Sequence, residues 1–148
     1  MRFAFATGLL VALLAAVGCG DKGNDGLTPV SGTITVDGGP GNAAAVTFVP
    51  TGSTPGNGGH GSTDATGRYE ITTPQGKKGL APGEYKVTVS YRRNADGGVP
   101  DPNVPPIESS ARELLASKYS DREKTELTAT VTAEAKPHDF SLPTSKKK

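Results

Sequence analysis

The chain has 148 residues, 34% of them apolar and 5% aromatic, with no Trp, 20 Gly, 12 Pro and a formal charge of +1. The apolar residues crowd into the first nineteen positions, and what remains is too polar for a large helical or α/β enzyme core. Setting Arg2 aside leaves 15 basic residues against 15 acidic ones, so no net field draws nucleic acid or another polyanion, and a DNA- or RNA-binding role is not expected.

Met1-Arg2 opens an apolar run over residues 3–17, interrupted by Thr7 and Gly8 and closed by Gly18-Cys19. A basic start, an apolar stretch and small residues at its end are the layout of a secretory signal. As a helix the run is about 22 Å long, short of the ~20 residues that cross a bilayer core. It reads as an export signal and not as a permanent anchor. Its end, Ala16-Val17-Gly18-Cys19-Gly20, resembles the lipobox of bacterial lipoproteins, with Ala16 where that pattern most often has Leu. The resemblance implies that residues 1–18 are a lipoprotein signal peptide and that Cys19 becomes the lipidated N-terminus, carrying palmitate-type chains. A lone Cys is also compatible with a buried apolar role or a free thiol. Cys19, however, is the only cysteine and ends the apolar run, and an exported chain with one Cys has no disulfide partner. At ~0.8 kcal/mol per buried CH₂, two or three acyl chains hold a protein stably at a membrane where one does not.

Residues 19–28 read as the lipidated N-terminus and a flexible tether, since Leu27 is the one apolar residue of 20–27. From Pro29 the pattern changes to period two. Val30, Gly32, Ile34 and Val36 share one face and Ser31, Thr33 and Thr35 the other, which predicts a half-buried strand. Asp37-Gly38-Gly39-Pro40-Gly41 is turn chemistry, and 44–50 predicts a second strand with Val46 and Phe48 inward. The segment 51–61 is a Gly/Ser/Pro/Asn loop, followed by a short strand at 61–63. Asp64-Ala65-Thr66-Gly67 then predicts a hairpin turn with Gly67 at positive φ, and 68–73 a strand with Tyr69 and Ile71 inward.

After Ala81-Pro82-Gly83, the clearest strand is 84–92, where Tyr85, Val87, Val89 and Tyr91 alternate with polar residues. The segment 94–107 carries four prolines and two adjacent glycines and must be a long surface excursion, because each proline removes a ladder donor. The one helical candidate is 110–118: Ser110 and Glu113 fit a capping box, and Ala111, Leu114, Leu115 and Lys118 fit a 3.6 period. Alternation resumes at 125–134 with Leu127, Ala129, Val131 and Ala133 inward. After Pro137 a last strand puts Phe140 and Leu142 on one side, and residues 143–148 read as a disordered basic tail. The fold class expected is all-β, a sandwich of about seven short strands with one short helix in a loop.

The segments VSGTITVDGGP (30–40), AAVTFVP (44–50), TDATGRYEI (63–71) and APGEYKVTVSY (81–91) together resemble, in that order, the carboxypeptidase-regulatory-like domain, a transthyretin-like, Ig-like β-sandwich. KYSDREKTELTATVTAEAKPHDFSL (118–142) is similar to the closing segment of small planctomycete-type lipoproteins carrying this domain, which usually have a Gly-Asn type turn where Ala135-Lys136-Pro137-His138 stands here. The resemblance covers 29–142 and implies an accessory or binding module; the zinc ligands of the metallocarboxypeptidases that gave the family its name lie in a separate domain.

The residues themselves point away from catalysis. His60 and His138, the only histidines, fall on a Gly-rich loop and in a turn without metal-ligand spacing, and no GxSxG elbow is present. Gly56-Asn57-Gly58-Gly59-His60-Gly61 matches GxGxxG as a string, but a hairpin follows it in place of a phosphate-binding helix. Asp96 and Asp101 lie in the excursion and Glu70 and Glu84 on outward strand positions, where solvation is the default for carboxylates. A calcium loop at 94–98 lacks the later bidentate Glu. Sugar modules stack rings on exposed aromatics, and here Phe48, Tyr69, Tyr85, Tyr91 and Phe140 fall inward, which leaves Tyr119. Lys146-Lys147-Lys148 is a basic end that can meet anionic headgroups, and Leu142-Pro143-Thr144-Ser145 lacks the Gly and apolar stretch of a sortase signal. The expectation is a non-enzymatic envelope protein without cofactor or metal. Lipidated Cys19 would hold it to a membrane, at a periplasmic or outer-membrane face, and loops 51–61 and 94–107 would contact a protein or polysaccharide. The alternative is a carbohydrate or cell-wall-polymer binding module.

Overall fold

The computed structural model describes residues 26–105 and 107–145. The expected signal peptide, Cys19 and the three terminal lysines lie outside the described residues. Strands form where β-branched and aromatic residues alternate with polar ones. In chain order they are β1 (Ser31–Val36), β2 (Gly39–Pro40), β3 (Ala45–Pro50), β4 (Gly59–Ser62), β5 (Arg68–Glu70), β6 (Gly83–Ser90), β7 (Arg92–Arg93), β8 (Arg112–Glu113), β9 (Thr128–Val131) and β10 (Phe140–Leu142), with one helical turn, α1 (Ser117–Ser120), before β9.

Two sheets pack face to face as a β-sandwich. One is centred on β1, which pairs in parallel with β10 and antiparallel with β5 through its first half and β2 through its second. The other is antiparallel throughout, in the order β4-β3-β6-β9. Their inner faces meet in one core: Ile34, Val36, Tyr69, Ile71 and Leu142 from the first, Val46, Phe48, Tyr85, Val87, Val89, Ala129 and Val131 from the second. Phe48 sits at its centre, with the rings of Tyr69, Tyr85 and His138 at 6.4, 6.0 and 6.0 Å. Alternation along β1, β3 and β6 therefore reports the buried face correctly.

The two turns follow their sequence chemistry. Asp37 and Gly38 both have positive φ, at 50° and 83°, the pattern of a two-residue type I′ hairpin. At the second turn Gly67 has φ 82°, and the Asp64 carboxylate accepts from Thr66 N and Oγ1 and from Arg68 N. Its two arms then diverge: β4 belongs to the β3 sheet and β5 to the β1 sheet, so the turn carries the chain from one layer to the other.

Several expectations are corrected. The capping box at Ser110 does not form, and 110–118 is not a helix. Arg112 and Glu113 instead pair with Arg93 and Arg92, and the single helical turn starts at Ser117. The Glu113 carboxylate is drawn to other donors: Ser90 Oγ at 2.6 Å, Tyr91 N at 2.9 Å and Leu115 N at 3.0 Å. The strand expected at 61–63 begins at Gly59, so the loop ends at 58 and His60 lies in a strand. β9 stops at Val131, leaving Ala133 exposed. The last strand forms no hairpin with β9; it crosses to the other sheet and runs parallel to β1.

The ordered domain also extends past both expected boundaries. Thr28 is buried and exchanges two backbone hydrogen bonds with Leu80. Thr144 donates its N–H and hydroxyl to the Asp37 carboxylate, and Ser145 N donates to Leu114 O, so 143–145 is not a disordered tail.

Candidate functional site

Three features stand apart from the core. The first is a groove of about 590 Å³ across the outer face of β1 and β5. Outward residues of a strand share a face, which brings Ser31 and Thr33 of β1 beside Arg68 and Glu70 of β5, with Asp64 and Asp139 at the margins. Asp139 Oδ1 accepts from the Thr33 hydroxyl at 2.6 Å and from Thr33 N at 2.8 Å, and these bonds hold its carboxyl below the usual range. The Thr66 hydroxyl, with two backbone donors, does the same for Asp64. Beneath the groove, burial raises the Tyr69 phenol, and the Asp139 charge adds to it. Tyr69 donates its hydroxyl to the His138 carbonyl at 2.6 Å. Burial pushes the His138 imidazole down, against the pull of Asp139. The lining offers hydroxyls, carboxylates and one guanidinium, and it suits a polar, hydrogen-bonding ligand.

The second feature is the loop 51–58. Thr51 N and Oγ1 and Thr54 Oγ1 donate to Glu84 O, and Thr54 Oγ1 accepts from Glu84 N. The loop is therefore braced against the start of β6. The GxGxxG string continues from it into the sheet: a Cβ on Gly59 or Gly61 would press on the carbonyls of Thr72 or Glu70. Those glycines serve close strand approach and leave no phosphate cradle.

The excursion after Arg93 is the third feature. β7 and β8 close its root, making it an Ω-like loop. The Arg92 guanidinium donates to Ala111 O at 2.7 Å. Arg93, only 7% exposed, donates to the carbonyls of Arg92 and Asn42 and lies 3.8 Å from the Tyr91 ring centroid. Further out, Asp96 Oδ1 accepts from Gly98 N, and Asp101 Oδ1 from Asn103 N and Nδ2, so these carboxylates shape turns and do not converge on one point. The large hydrophobic residues exposed among the described residues are Val99 at 47%, Val104 at 38% and Ile107 at 93%, all on this loop.

The structure places the remaining expected residues apart from one another. His60 is exposed on β4 and His138 half-buried against Phe48, and among the described residues no group of three or more His, Cys, Asp or Glu is placed to hold a metal ion. Glu70 and Glu84 are exposed, Glu70 within 3.4 Å of Lys78. Tyr119, expected to stand free, is half-buried against the core with the Lys118 ammonium 5.0 Å from its ring centroid. Of the aromatics expected inward, Phe48, Tyr69 and Tyr85 are fully buried, while Tyr91 and Phe140 are half-buried. The clamp made by Arg92, Arg93 and Glu113 escaped sequence reasoning, because it depends on partners that only the fold brings near: Ser90 and Tyr91 for Glu113, the Ala111 carbonyl for Arg92 and the Asn42 carbonyl for Arg93. Its one local trace is the Tyr91-Arg92-Arg93 string, where charge follows an aromatic at a strand's end. Among the described residues no helix is long and apolar enough to cross a membrane.

No protein-family model matches the chain, and no curated protein matches it. Among solved structures the chain is similar to a 9R-lipoxygenase from Cyanothece PCC8801, at 16% identity and a TM-score of 0.36, over 84% of this chain and 17% of that one. The chain thus spans less than a fifth of that protein's length, and a likeness at this level carries no argument about activity.

Proposed function

We propose that this chain is a non-enzymatic envelope lipoprotein, anchored through Cys19, whose β-sandwich presents the excursion 94–107 to a partner in the envelope. The reading takes up the resemblance to carboxypeptidase-regulatory-like, transthyretin-like modules. The observation that carries it is that, among the described residues, the exposed large apolar side chains Val99, Val104 and Ile107 all lie on one loop with a clamped root. Exposed apolar side chains gathered on a loop over a rigid scaffold mark contact surfaces. The test has two arms. A fatty-acid analogue fed to producing cells should label the wild type and not Cys19→Ala, and label on that variant would remove the anchor. Chemical crosslinking in intact cells should give discrete adducts with the lipidated wild type that the mislocalised Cys19→Ala chain loses; equal adducts from both would remove the envelope partner.

The outer-face groove supports a second reading, a carbohydrate or cell-wall-polymer binding module. Its hydroxyls and carboxylates, with Arg68, match the hydroxyls of a sugar polymer, although its one aromatic, Tyr69, is buried and offers no stacking face. On this reading migration in polysaccharide-containing native gels is slowed, and Arg68→Ala restores it. Unretarded wild-type protein would discard the reading.

A further inference from the structure

An edge strand carries unpaired backbone groups that can template another chain, and proteins guard such edges with Pro, charge, brevity or a covering segment. Most edges of this sandwich are guarded. β2 contains Pro40, and β10 is three residues long between Asp139 and Pro143. β4 meets Thr72, which exchanges two backbone hydrogen bonds with His60. β9 closes the far side of the β4-β3-β6-β9 sheet and has no charge, Pro or bulge across Thr128–Val131.

The register decides which of its backbone groups face outward. Val87 N donates to Leu127 O at 2.8 Å, whereas Glu84 turns its C=O and N–H away from β9, to Thr51 N and Thr54 Oγ1. Bonded and non-bonded pairs alternate along an antiparallel ladder, so Ala129 bonds Tyr85, while Thr128 and Thr130, opposite Lys86 and Glu84, point their N–H and C=O off the edge. Both threonines are exposed, and among the described residues nothing bonds these outward groups.

A two-fold-related copy of the strand satisfies them all at once. Centred on Ala129, antiparallel pairing sets each Thr128 opposite the other copy's Thr130, in bonded pairs with Thr–Thr contacts on the outer face. Ala129 then meets its own counterpart at the closer non-bonded position, about 4.5 Å between Cα atoms, where a small side chain fits. A register centred on Thr130 also keeps inner residues opposite inner ones, but it sets Glu126 against Glu134 and Lys124 against Lys136. About Ala129, Lys124 faces Glu134, and the one like pair, Arg122 and Lys136, lies farthest from the axis. We infer that β9 pairs with β9 of a second copy of this chain, antiparallel about Ala129, and joins two four-stranded sheets into one of eight. The pairing requires neither Cys19 nor the excursion. A four-residue edge makes a small interface of the weak class, so the dimer forms at high chain concentration.

Amide exchange of the full-length chain is followed residue by residue at about 10 μM and about 1 mM. Thr128 and Thr130 should exchange about fivefold more slowly at the higher concentration, with Ala129, already bonded to Tyr85, unchanged. Thr130→Pro removes an outward N–H, leaves the ladder to β6 in place and should abolish the slowing at Thr128. In a second measurement every chain carries Cys19→Ala, and chains with Thr128→Cys are mixed with chains with Thr130→Cys under mild oxidation. Opposed residues about 5.5 Å apart lie within disulfide range, so the mixture should give linked dimer about tenfold above a control with Cys at the exposed position of Gln75, Gln75→Cys. Exchange at Thr128 and Thr130 that ignores concentration would overturn the inference and leave the edge to a strand from another protein. Slowing that survives in Thr130→Pro would overturn it too; if that variant does not fold, a mixture that links no better than the control does so. Thr130→Cys chains that link among themselves as well as the mixture does would overturn the register about Ala129.

Discussion

Asp139 is an exposed carboxylate held by two bonds from a single residue, the hydroxyl and N–H of Thr33, and so joins the approach to β10 to the middle of β1. Those bonds favour its charged form, so its folded pKa lies below the unfolded value near 4. A lowered folded pKa contributes stability that is present above the unfolded pKa and lost as pH falls through the folded one. Asp64 adds in the same direction. The melting temperature is therefore expected to fall below about pH 4. Asp139→Asn, which keeps an acceptor but cannot titrate, should flatten that drop; thermal melts between pH 2.5 and 6 read the difference, and superimposable profiles would refute the assignment. The position of Thr33 on an outward face was legible from alternation. Its bond to a residue 106 positions away was not, because nothing local marks which carboxylate will arrive there.

At the scale of elements, the segment 110–118 shows why a good local pattern can mislead. Ser110 and Glu113 have capping-box spacing, worth about 1 kcal/mol if a helix follows. Glu113 instead accepts three hydrogen bonds from Ser90, Tyr91 and Leu115, and Ala111 and Leu115 are buried. Tertiary bonds to the end of β6 outweigh a short helix whose own stability in water is marginal. Glu113→Ala is expected to cost about 1–2 kcal/mol and to speed amide exchange at Tyr91 and Leu115. Ser110→Ala, by contrast, should change the denaturation midpoint little, where a working N-cap would lose about 1 kcal/mol. Equal losses at both positions would restore the helical reading.

At the scale of the whole molecule, one core joins both sheets and the loops hang from its ends. Phe48 is 1% exposed and meets residues of both layers, so Phe48→Ala should cost about 3–5 kcal/mol, a large part of a small domain's stability. Ile107→Ala should stay within about 0.5 kcal/mol, as urea denaturation will show. A comparable loss at Ile107 would mean that its side chain belongs to the fold and is not held out for contact. The placement of the two loops also belongs to this scale: the loop 51–58 is braced at the start of β6 and the excursion leaves past its other end, although both loops looked equally suited to contact in the sequence.

Composition and period two were enough to determine the all-β class, the inward residues of β1, β3 and β6, and the turns at Asp37-Gly38 and Asp64–Gly67, because each rests on neighbouring residues and backbone sterics. The crowding of apolar residues at the start of the chain, with its single Cys19, likewise needed no fold to be seen. The tertiary structure alone decided that β10 lies parallel to β1, that Glu113 braces a loop and caps no helix, and that the excursion leaves the sandwich past the end of β6 opposite Thr28. Those outcomes depend on hydrogen bonds and packing between segments tens of residues apart, and such partners are selected only when the two sheets close over one core.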